Sequence, residues 1–119
     1  MDLYNQYFLD HAKNPRNTKV LKHADFQANE VNTSCGDRVK VQFLIKGAKV
    51  QAISHQTDGC MVAKFSASVL SEKLVGKTVE EVQKMTPQDL TKLLGVELTM
   101  SRLKCAMLPL MAIQKALKI

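Results

Sequence analysis

The stretch Arg38 to Lys46 constrains this chain more than any other. Val39, Val41, Phe43 and Ile45 alternate with Arg38, Lys40, Gln42 and Lys46, and Leu44 is the one apolar residue on the polar side. A period of two gives a strand one apolar and one polar face, a pattern that a helix would scatter around its axis. Gly47-Ala48 follows at once and suits a two-residue hairpin turn with glycine at the first central position. Lys49 to Gln56 then returns antiparallel, although Val50, Ala52 and Ile53 alternate less regularly. Asp25 to Thr33 is polar and weakly alternating, and reads as an edge strand. Three antiparallel strands form the smallest sheet with independent stability.

Helical signals lie mostly after this sheet. Before it, Asp2 is placed to cap a helix with Leu3, Tyr4, Tyr7, Phe8 and His11 on one face, the two tyrosines and Phe8 serving as core anchors. Asn14-Pro15 ends that helix, because the proline ring pushes the preceding residue out of helical geometry. Asn14 to Ala24 is then a connecting loop. Beyond Thr57-Asp58-Gly59-Cys60, Val62, Phe65 and Val69 recur at helical spacing, and the small residues Ala63, Ser66, Ala67 and Ser68 permit close packing. Gly76 closes this helix; Thr78 and Glu81 form a capping box for a short one. Thr86-Pro87 opens another, which Gly95 stops. In the last helix Ala106, Leu110, Ile113 and Leu117 share a stripe. Pro109 is tolerated only in a first turn, so this helix should begin no earlier than about Cys105 or Ala106. The expected architecture is α+β: a three-stranded antiparallel sheet packed with helices mostly C-terminal to it, in a single domain spanning residues 1–119.

No apolar run approaches the roughly 20 residues that span a bilayer, and Met-Asp-Leu-Tyr-Asn-Gln lacks the features of a signal peptide. A cytoplasmic protein with reduced thiols is expected. The three cysteines are an odd number and cannot all pair within the chain. A net charge of +6 raises nucleic acid as a partner, but the seventeen Lys and Arg residues are dispersed and only six aromatic residues could stack on bases. A solvated basic surface that docks an acidic protein is the better reading. His11, His23 and His55 have no metal-ligand spacing and read as structural or surface groups, and the six methionines read as core filler.

The cysteines occupy predicted junctions: Cys35 between strands, Cys60 between strand and helix, Cys105 at a helix start. Helix starts would favour thiolate at Cys60 and Cys105, and Arg102 and Lys104 add positive charge beside the latter. Gly36 and Gly59 let the backbone turn tightly and approach a ligand. Cys35, Cys60 and Cys105 offer soft sulfur and Asp37 a hard oxygen, a set that fits Zn²⁺ or an iron–sulfur cluster. The gaps of 25 and 45 residues match no local zinc pattern. Free cysteines also serve as small buried hydrophobes, so both readings stand on spacing, and junction placement favours the ligand set.

Asp10-His11 with Asn14-Pro15-Arg16-Asn17, then Ser34-Cys35-Gly36-Asp37, then Asp58-Gly59-Cys60 with Ser66-Ala67-Ser68, and finally Arg102-Leu103-Lys104-Cys105-Ala106 with Leu108-Pro109 resemble the motifs of one family. This is the IscU/SufU-type family of iron–sulfur cluster assembly scaffolds, which includes the N-terminal domain of NifU. The resemblance runs over nearly the whole chain. It implies a three-stranded antiparallel sheet with helices, and a site of Cys35, Asp37, Cys60 and Cys105 that binds zinc or a transient [2Fe–2S] cluster. The cluster would be built from iron and from persulfide sulfur supplied by a cysteine desulfurase, then passed to apo-proteins. Asp37 would be the ligand that makes the cluster labile, and Cys105 the persulfide acceptor, with Cys35 second. Lys104, before the third cysteine, matches the SufU branch, whereas the short Cys60–Cys105 interval lacks that branch's usual insertion. Leu98-Thr99-Met100-Ser101-Arg102 lacks the Leu-Pro-Pro-Val-Lys motif for a dedicated Hsp70 chaperone, which argues against that partner. Two other readings follow from the same residues: a SufU-like zinc-dependent sulfur acceptor, and a small structural zinc domain that binds protein or nucleic acid.

Overall fold

The computed structural model describes residues 5–32 and 36–117. The elements run α1 (Gln6–Lys13), β1 (Phe26–Asn32), β2 (Asp37–Lys46), β3 (Lys49–Asp58), α2 (Met61–Lys73), α3 (Val79–Gln83), α4 (Pro87–Leu94) and α5 (Met100–Ala116). The strands form one antiparallel sheet in the order β1-β2-β3, and among the described residues four of the five helices follow it, as the sequence predicts.

Val39, Val41 and Phe43 all point into the core. Both central residues of the hairpin, Gly47 and Ala48, have positive φ, the type I′ pattern, rather than glycine alone. The irregular alternation of β3 has a local cause. Leu44 pairs with Ala52 but Ile45 pairs with Val50, so Gln51 is an extra residue and the inward parity changes there. Val50 on one side of the bulge and Ile53 and His55 on the other are therefore all buried.

Caps explain most helix boundaries. Asn5 caps α1, its side chain accepting from the Phe8 N–H, in place of Asp2, which lies outside the described residues with Leu3 and Tyr4. Thr86 and Asp89 complete a capping box before α4, and Gly95 ends it in left-handed geometry. Thr78 caps α3 as predicted, while the Glu81 side chain accepts from the Thr78 hydroxyl instead of the backbone.

The largest correction concerns α5. It begins at Met100, capped by Thr99, and Pro109 lies inside it, so Cys105 is in the helix body. Proline removes the N–H that would serve the Cys105 carbonyl. Packing accommodates the break: the Ser66 hydroxyl of α2 donates to the adjoining Ala106 carbonyl at 2.6 Å, and Pro109 is buried with Leu108 and Leu110.

Phe8, Phe43, Phe65, Leu70, Leu110 and Ile113 are almost fully enclosed, so sheet, α1, α2 and α5 share one core. The Phe8 and Phe65 rings meet edge-on with centroids 4.9 Å apart. The loop after α1 is held by side chains, with the Arg16 N–H donating to Ser68 and the Gln56 side chain to the Thr18 carbonyl. His55, buried in β3, donates through Nε2 to the Arg16 carbonyl at 2.8 Å, which leaves Nδ1 to accept from Thr57. Burial holds His55 below its ordinary pKa, partly offset by that carbonyl, and burial likewise lowers His11. The unfolded chain therefore takes up protons below about pH 6.5 that the native state refuses. Stability is expected to be full above that pH and to fall as pH drops toward the lowered native values. Urea midpoints at pH 7.5 and 5.5 check this; His55→Gln should narrow the difference between them.

Candidate metal centre

The β2–β3 ladder ends at Arg38 opposite Asp58, which sets Asp37, the first residue of β2, beside Gly59. Gly59 has φ +145°, and a Cβ there would stand 2.1 Å from Asp37 Oδ1 and 2.9 Å from its Cα. The missing side chain makes room for the Asp37 carboxylate rather than for an external ligand. Asp37 is only 1% exposed. Its Oδ1 accepts from the Cys60 N–H at 2.8 Å, and its Oδ2 from the Cys60 thiol at 3.2 Å. Cys60 is the N-cap of α2, and its sulfur accepts from the Ala63 N–H at 3.4 Å. A buried carboxylate and a thiol thus sit together at the positive end of a helix.

Cys105 arrives from α5, next to the Ala106 carbonyl that Ser66 holds. One ligand atom each from Asp37, Cys60 and Cys105 lies within 4.8 Å of the others. Three of the four residues singled out from sequence therefore converge, although 23 and 45 residues separate them along the chain. Cys35 lies outside the described residues, two positions before Asp37. His11 and His55 are engaged elsewhere in the core and His23 is exposed, so none joins this group.

Burial raises the Cys60 thiol above its ordinary pKa, and the nearby Asp37 carboxylate raises it further; the Ala63 N–H and the Cys105 thiol act in the opposite direction. Cys60 does stand at the helix start, and the Ala63 N–H favours its thiolate as expected, but desolvation outweighs that contribution. A bound cation reverses that balance, since coordination deprotonates a thiol. At Cys105, the sixth residue of α5, the helix start contributes little, because the dipole effect fades within the first turn. Exposed Lys104 and half-buried Arg102 remain as its cationic neighbours in sequence. The donor set of two thiols and a carboxylate suits zinc or iron, neither purely soft nor purely hard. Ser66 and Ala63 are the partners that sequence reasoning missed: one fixes α5 to α2, the other donates to the Cys60 sulfur.

The NifU-like N-terminal domain model matches residues 3–119. The chain is 31% identical over 115 residues to "Iron-sulfur cluster assembly scaffold protein IscU 1" of Archaeoglobus fulgidus, covering 97% of this chain and 74% of that protein. It is 30% identical over 130 residues to "Zinc-dependent sulfurtransferase SufU" of Bacillus subtilis, covering 95% of this chain and 88% of that one. Among solved structures it resembles a protein of Fervidobacterium islandicum AW-1 described as a cluster assembly scaffold for the SUF system. That match has a TM-score of 0.82 and 25% identity, covering 98% and 97% of the two chains. The chain belongs to the NifU-like N-terminal domain family, that of the IscU- and SufU-type iron–sulfur cluster assembly scaffolds.

Proposed function

We propose that this protein accepts persulfide sulfur from a cysteine desulfurase, binds ferrous iron, builds a transient [2Fe–2S] cluster with an external electron donor that completes reduction of the sulfane sulfur to sulfide, and transfers that cluster to apo-proteins. The observation that carries the proposal is the convergence of Asp37, Cys60 and Cys105 within 4.8 Å. On sequence alone we assign Cys35, two positions before Asp37, as the fourth ligand. The cluster is cargo, and Asp37 is the ligand that lets it go, a hard oxygen among soft sulfurs. Similarity to the archaeal IscU supports the scaffold reading. The sulfurtransferase reading is favoured by Lys104 before Cys105 and by similarity to the Bacillus protein.

In sulfur receipt a thiolate attacks the terminal sulfur of the donor persulfide and releases the donor's thiolate. We assign this attack to Cys105, with Lys104 as its neighbouring cation and Cys35 as the second choice. Incubation with a cysteine desulfurase and cysteine, followed by mass spectrometry of single Cys→Ser variants, tests it. A gain of one sulfur in Cys35→Ser and Cys60→Ser but not in Cys105→Ser is expected; label that persists in Cys105→Ser contradicts the assignment.

A further inference from the structure

Three methionines face outward, against the expectation that they fill the core: Met100 is 78% exposed, Met111 50% and Met61 40%. Two of them line a groove of about 470 Å³ between β1 and α5, walled by Val31, Met100, Leu103, Lys104, Met107 and Met111. Val31 is itself 52% exposed. Methionine-rich walls adapt to varied apolar side chains.

Two further features say what this groove fits. First, β1 is the edge of the sheet and pairs with β2 alone among the described strands. Its sequence, Phe-Gln-Ala-Asn-Glu-Val-Asn, has none of the lysines or prolines that usually guard an edge. Second, the charge is one-sided. The groove wall carries Lys104 and no carboxylate. All of α5 carries Arg102, Lys104 and Lys115 with no acidic residue. The one anion of β1, Glu30, is matched by Lys115 at 3.3 Å. A second copy of the chain would set basic helix against basic helix, and nucleic acid would meet a mostly apolar wall.

We propose that the β1–α5 groove binds an extended, acidic and apolar segment of another protein, which adds as a fourth strand to the outer edge of β1. Main-chain hydrogen bonds to β1 would supply affinity, while alternate apolar side chains enter the methionine groove and carboxylates face Lys104. About seven extended residues match the length of β1. The proposal rests on the groove and strand edge and does not depend on the metal reading.

Selection of a random 12-residue phage-displayed peptide library on the full chain tests it, with synthetic peptides made from the enriched sequences. Enriched peptides should be net acidic with at least two apolar residues. They should bind about tenfold more weakly to Met107→Asp and to the more exposed Met111→Asp, and more weakly as salt rises. Hydrogen exchange of Gln27 to Val31 should slow when a peptide binds. The proposal is overturned if nothing is enriched, if enriched peptides are neutral or basic, if both variants bind undiminished, or if exchange in β1 is unchanged. It is also overturned if ultracentrifugation shows a dimer that Met111→Asp dissolves, or if a labelled 20-nucleotide single-stranded RNA binds and displaces the peptides.

Discussion

Gly59→Ala is expected to lower stability by about 2–4 kcal/mol, within the range of mutations that force strain on a buried site, and to weaken zinc binding about 10–100-fold, the usual cost of disturbing a ligand's supporting shell. The added methyl would meet Asp37 Oδ1 at 2.1 Å and the Asp37 backbone at 2.9 Å, and φ +145° is unfavourable for any side chain. The carboxylate must leave or β2 must shift, and either change uncouples Asp37 from the Cys60 N–H. Gly95→Ala is the matched control. Gly95 also has positive φ, but its Cβ would meet open space at the end of α4. It should cost about 1 kcal/mol through strain alone and leave zinc affinity unchanged. Urea denaturation and competition with a zinc-binding dye measure both effects. Equal behaviour of the two variants would contradict the role given to Gly59.

Asp37→Ala should push stability and cluster retention in opposite directions. In the metal-free protein the Cys60 N–H and thiol lose their acceptor, a loss of about 1–3 kcal/mol when the orphaned donor is buried. Asp37→Asn keeps a side-chain oxygen and should recover most of this. In the cluster-loaded protein, loss of the hard ligand should slow transfer to an apo-ferredoxin at least about tenfold, corresponding to about 1.4 kcal/mol in the barrier. Visible circular dichroism follows the transfer. Unchanged or faster transfer from Asp37→Ala would remove Asp37 from its proposed role.

The sheet was legible because Val39, Val41, Phe43 and Ile45 obey a period that no other structure satisfies, and the α4 boundaries because Thr86-Pro87 and Gly95 act locally. Errors arose where a distant partner decides. Val50 and Ile53 look irregular until Gln51 is seen as a bulge, and a bulge depends on the facing strand. Pro109 predicts a late start for α5 only if the helix stands alone. Ser66, forty residues earlier, serves the carbonyl beside the break. The observed start at Met100 sets Cys105 inside the helix body, beyond the first turn where the dipole acts. The site was legible as a set of residues, since thiols and a carboxylate beside glycines signal ligand chemistry. Its electrostatics were not: burial, which raises the Cys60 thiol, exists only once α2, α5 and the sheet have closed around it.

Anaerobic reconstitution with a cysteine desulfurase, cysteine, ferrous iron and a dithiol reductant, read by visible absorbance and followed by mixing with an apo-ferredoxin, tests the central claim most directly. The account predicts a coloured [2Fe–2S] protein that gives up its cluster, and a metal-free form that stays folded because Phe8, Phe43, Phe65 and Ile113 anchor an apolar core that reaches well beyond the site at its margin. Tight zinc with faster desulfurase turnover but no transferable cluster would contradict it in favour of sulfur relay. Unfolding on zinc removal, with no effect on the desulfurase, would contradict it in favour of a structural zinc domain.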